Sequence, residues 1–112
     1  MRHCRIKVKK NEEGIYEATA FLPHNKIKGI VGITFEDAVT KARLSILKFL
    51  ITTKKEPLII LENNQWLVSG NFAAQKILGD TSPKKIKLQS QFQVIKEYHI
   101  PQSIQIARIL DH

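Results

Sequence analysis

Gly32-Ile33-Thr34-Phe35-Glu36-Asp37-Ala38 is the stretch that decides the fold, because an extended segment hands over to a helix there. Thr34 has the short hydroxyl side chain favoured at a helix N-cap, and Glu36 and Asp37 place carboxylates beside the positive end of the helix dipole. Gly32 lets the backbone turn sharply just before them. The spacing predicts a helix from Phe35 to about Thr52. On a helical projection, Phe35, Ala38, Val39, Ala42, Ile46, Phe49 and Leu50 fall within an arc of about 120° and form the expected core face. A second apolar strip, Leu44, Leu47 and Ile51, lies on nearly the opposite side. A helix on one sheet layer does not need that strip, so either the second half of the chain or a partner covers it. These three are the candidate interface residues.

Upstream, Cys4, Ile6 and Val8 alternate with Arg5, Lys7 and Lys9, which reads as a strand with one apolar and one basic face. Asn11-Glu12-Glu13-Gly14 is a turn, and Ile15 to Leu22 is a second strand that closes a hairpin. Pro23-His24-Asn25 ends it. Ile27 to Ile33 reads as a third strand, with Gly29 and Gly32 permitting a bend or bulge. The first half, residues 1–56, is thus β-β-β-α.

Downstream, Pro57 ends any helix before it, which makes Lys54-Lys55-Glu56-Pro57 the expected hinge. Leu58 to Leu61 and Trp66 to Ser69 read as strands around Asn63-Asn64-Gln65, residues that tolerate positive φ. Asn71 caps a short helix that Gly79 stops. Alternation from Ile86 to Val94 predicts a half-exposed strand, and Pro101 opens a last helix through Leu110. The expected fold class is α+β: one compact domain over residues 1–112, with a β-β-α-β-α extension over 57–112.

Residues 14–50 resemble the N-terminal domain of the HicB antitoxin family. The resemblance rests on Tyr16, Ala18, Pro23, Gly32, Thr34, Glu36, Asp37, Ala38 and Ala42. It implies a degenerate RNase H-like β-β-β-α unit that binds a small toxin ribonuclease and blocks its active site. Many members of that family add a C-terminal DNA-binding module. The strand-rich residues 57–112 do not provide the two consecutive helices such a module needs. A fainter resemblance, at Ile59–Gly79, is to the opening hairpin and capped helix of PAS sensor domains.

The chain of 112 residues carries 18 Lys+Arg against 10 Asp+Glu, a formal charge of +8. Of these, twelve basic and six acidic residues precede Pro57. Such a balance favours nucleic acid, an anionic membrane or an acidic partner. Arg5, Lys7 and Lys9 project together from the first strand, with Lys10, Lys26 and Lys28 nearby. Arg5, Lys7, Lys9, Lys26 and Lys28 are the candidate nucleic-acid contacts, with no clear aromatic stacking partner on the same face. Lysine on edge strands also blocks sheet-to-sheet aggregation, a competing explanation.

Catalytic chemistry finds little footing. His3, His24, His99, His112 and Cys4 lack short metal-ligand spacing, and the acids are scattered. There is no Walker-type loop and no Gly-x-Gly-x-x-Gly. One cysteine excludes an intrachain disulfide, and the N-terminus lacks the apolar run of a signal peptide, so a cytoplasmic protein is expected. The expectation is a non-enzymatic HicB-like interaction module without cofactor or metal, binding a protein partner such as a small toxin ribonuclease or a second copy of itself. The alternative is a basic DNA- or RNA-binding protein, or a small subunit of a nucleoprotein complex.

Overall fold

The computed structural model describes residues 4–87, 90–95 and 104–110. The chain is mixed α+β, with two helices and two antiparallel sheets among the described residues. It divides into two compact units, Met1–Leu47 and Lys48–His112. The division falls inside a helix rather than at the expected hinge, Lys54–Pro57.

In the first unit, β1 (Arg5–Lys10), β2 (Tyr16–Leu22) and β3 (Asn25–Gly32) form a sheet in the order β1-β2-β3. Asn11 builds the first turn: its side-chain oxygen accepts from the Glu13 and Ile15 amides at 2.9 and 3.0 Å. Gly14 takes the left-handed φ of 82° that closes it. The second connection is shorter than expected. Leu22 pairs with Asn25, so Pro23 and His24 alone make the turn, and β3 starts at Asn25.

Pairing of Ala18 with Ile30 and of Ala20 with Ile27 leaves Lys28 and Gly29 together opposite Thr19. This is a β-bulge, and Gly29 sits there at φ 78°. Gly32, at the end of β3, serves close approach instead. A Cβ built on it would press on the Ala38 amide and lie 2.8 Å from the Ala38 Cα.

Helix α1 spans Phe35–Thr52, as its capping chemistry predicts. Thr34 Oγ1 accepts from the Asp37 amide at 3.0 Å, and Asp37 Oδ2 accepts from the Ile33 amide at 3.1 Å. The first bond satisfies one of the amides that a helix start leaves over, and the second ties the residue before the cap to the first turn. Ala38, Ala42 and Ile46 are buried, but Phe35 is 55% exposed and meets Tyr16 edge-on at 6.2 Å instead of entering the core. Further along, burial moves to Leu47 and Ile51.

The second unit holds β4 (Leu58–Glu62), β5 (Trp66–Gly70), α2 (Phe72–Leu78), β6 (Lys84–Lys85), β7 (Phe92–Ile95) and β8 (Ile104–Ile109). The sheet order is β6-β5-β4-β8-β7. Asn63 and Asn64 take the positive φ expected of them, and Asn71 and Gly79 cap α2. Ile59, Leu61, Leu67, Ala74, Ala107 and Ile109 form one core cluster. Leu58 and Ile60, on the other face of β4, are also buried.

Two expectations in this half are overturned. The last element is not a helix: Ile104–Ile109 is a strand between β4 and β7, with Ile106 paired to Ile60. The expected helix start at Pro101 lies outside the described residues. Nor is Ile86–Val94 one strand. The chain leaves β6 at one edge of the sheet and re-enters as β7 at the other, which a single strand cannot do. Leu88 and Gln89 of that stretch lie outside the described residues.

Candidate nucleic-acid interface

Alternation along β2 turns Ala18, Ala20 and Leu22 to the buried side and Glu17, Thr19 and Phe21 to the other. The register then fixes what lies beside them. Arg5, Phe21 and Lys26 form one row across the three strands, because Phe21 pairs with both cations. Lys7 pairs with Thr19, which faces Lys28 and Gly29 in the bulge. Lys9 pairs with Glu17, which pairs with Val31.

All five candidate cations, Arg5, Lys7, Lys9, Lys26 and Lys28, are exposed on the first unit's sheet. They come from both edge strands, so the basic stripe on β1 is widened into a two-sided patch. Lys10 does not join it. Its parity sends it to the opposite face, where its ammonium lies 5.7 Å from the Tyr16 ring. The acid on the patch is Glu17, which accepts from the Asn11 side chain at 3.3 Å.

Phe21 corrects the expectation that the basic face lacks an aromatic partner. The Arg5 guanidinium carbon sits 4.9 Å from its ring centroid, and the Lys7 ammonium 6.0 Å. Both are within cation–π range. The ring is half-buried, so the sheet holds it in place while cations ring its accessible part. The sequence signal was present in the alternation Glu17, Thr19, Phe21. It lacked only the pairing that sets Phe21 opposite Arg5.

Beside this row the bulge opens a concavity of about 620 Å³, lined by Lys7, Lys9, Glu17, Thr19, Lys28 and Gly29 among others. A Cβ built on Gly29 would meet nothing within 4 Å, so the floor is open there. Three ammonium groups and one hydroxyl against one carboxylate make a recess suited to an anion.

The interface candidates fare differently. Leu47 and Ile51 are 0% and 1% exposed, and Leu44 is half-buried. Two of the three therefore present no surface in the chain. Among the exposed apolar side chains, Val31, Ile33 and Phe35 sit together in sequence around the β3–α1 joint, while others such as Phe72 and Leu110 lie elsewhere.

Three of the acids have local tasks. The Ile33 amide and, next, the Lys41 ammonium at 3.2 Å hold the Asp37 carboxyl below the ordinary carboxylate value. The Ser82 amide and hydroxyl do the same for Asp80. Glu56 pairs with Arg108 at 2.6 Å. Among the described residues, no three of His, Cys, Asp and Glu gather where a metal could sit. His3, His99 and His112 lie outside the described residues. No protein-family model, curated protein or solved structure matches the chain.

Proposed function

We propose that this protein is a nucleic-acid-binding module that holds a phosphate backbone against the solvent face of its three-stranded sheet. The observation that carries this is the convergence of Arg5, Lys7, Lys9, Lys26 and Lys28 on one face with Glu17 as the only acid of the three strands. The charge of the whole chain works in the same direction, since +8 attracts a polyanion from a distance. The module acts by binding and carries out no chemistry.

Salt dependence tests it. If all five cations neutralise phosphates, log K against log salt falls with a slope of about −3.5 to −4.5, the lower figure for single strands. A slope near zero sinks the proposal.

A second reading is a HicB-like module that binds a protein. It draws support from the order β1-β2-β3-α1 and from the exposed Val31, Ile33 and Phe35. On that reading the partner is a small toxin ribonuclease or a second copy of the chain, held by apolar contact. Such contact responds little to salt, so the same titration separates the two.

A further inference from the structure

We infer that the nucleic acid this face takes is single-stranded, with one base stacked at the Phe21–Arg5 pair and its neighbouring phosphates in the recess between Lys7, Lys9 and Lys28. The inference rests on the phosphate-binding reading and narrows it from polyanion to strand type.

Phe21 is the first reason. Neutralising phosphates needs cations only, and edge protection needs charge only, yet an aromatic ring sits on the middle strand of the patch with Arg5 at 4.9 Å and Lys7 at 6.0 Å. Aromatic rings and guanidinium planes both stack on bases, but only unpaired bases offer a face to them. A duplex keeps its bases inside and would gain nothing from this ring.

Shape is the second. The major groove of a duplex admits a helix or a two-stranded ribbon. This site is the face of a three-stranded sheet, with a recess at the bulge of Lys28 and Gly29 opposite Thr19. A recess of about 620 Å³ lies in the size range of small-ligand sites. It has room for part of a nucleotide beside the ring.

The test compares a fluorescent oligo(dT) of about twelve nucleotides with a blunt duplex of equal length, by anisotropy at one fixed salt concentration. The full chain is expected to prefer the single strand. Phe21→Leu keeps apolar bulk on that face of the sheet but loses the aromatic stacking face. It should weaken oligo(dT) binding about ten- to a hundredfold, leave duplex binding unchanged, and be reversed by Phe21→Tyr. Ultraviolet crosslinking of oligo(dT) to the unaltered protein, mapped by mass spectrometry, does not depend on any variant folding; the crosslink is expected at Phe21. The inference is overturned if the duplex binds as well as the single strand, if Phe21→Leu binds oligo(dT) like the parent, or if the crosslink maps away from β1–β3. Those outcomes leave the phosphate-binding reading standing where Lys7→Ala with Lys9→Ala still weakens both ligands. If neither ligand binds, both readings fall.

Discussion

Asn71 is 2% exposed and ties together the end of α1, the loop after it, β4 and α2 through its side chain. Its oxygen accepts from the Leu58 and Ala74 amides at 3.1 and 3.0 Å, at the start of β4 and in the first turn of α2. Its nitrogen donates to the carbonyls of Ile51 and Glu56 at 3.0 and 2.7 Å, at the end of α1 and in the loop beyond. Asn71→Ala removes the cap and leaves buried amides and carbonyls unpaired. The expected loss is about 2–4 kcal/mol in urea unfolding followed by Trp66 fluorescence. A loss under about 1 kcal/mol would mean that water replaces the side chain. The capping role was legible in Asn71-Phe72-Ala73-Ala74, because capping is local. The bonds to Ile51 and Glu56 were not, since they depend on how distant segments meet. Phe21 is the same case on the candidate site. Its parity could be read from β2, but its place beside Arg5 required the register that the Asn11–Gly14 turn sets.

At the scale of elements, α1 and β8 mark the two ends of what sequence carries. The helix is written in its own first turn: Thr34 accepts from the Asp37 amide, Asp37 accepts from the Ile33 amide, and the start of the helix follows. Ile104-Gln105-Ile106-Ala107-Arg108-Ile109 has apolar residues that satisfy a helical spacing as readily as a strand buried on both faces. Its identity is fixed by β4, far away in the chain, which no local pattern names. The same first turn makes α1 sensitive to acid. The Ile33 amide and the Lys41 ammonium favour the ionised Asp37, so its pKa is lower in the folded chain than in the unfolded one. Its contribution to stability is therefore complete above the unfolded carboxylate value and is lost as pH falls through the lowered folded value. Helical circular dichroism should decline over that acid window. Asp37→Asn should reduce the decline without removing it, because Asp80 is depressed in the same direction. An NMR titration giving Asp37 an ordinary or raised pKa would contradict the assignment.

For the molecule as a whole, a patch that gathers cations without matching acids repels itself in the free protein. Arg5, Lys7, Lys9, Lys26 and Lys28 project from the two edge strands, with Glu17 on the strand between them. If their purpose is to meet phosphates, the fold gains nothing from them until a ligand arrives, and removing some should relieve repulsion. If they serve the fold, removing them should harm it. If they guard the edges of the sheet, removing them should expose β1 and β3 to pairing with other copies. One variant separates these roles. Lys7→Ala, Lys9→Ala and Lys28→Ala together should leave the urea midpoint of the free protein unchanged or slightly raised. The same change should lower single-strand affinity at least tenfold and reduce the salt slope by about two, at about 0.7 for each phosphate no longer neutralised. Light scattering should show no new association. A lowered midpoint would make the lysines part of the fold, and aggregation at unchanged midpoint would make them guards of its edges. Weakened affinity with neither change is the pattern that only a binding face produces.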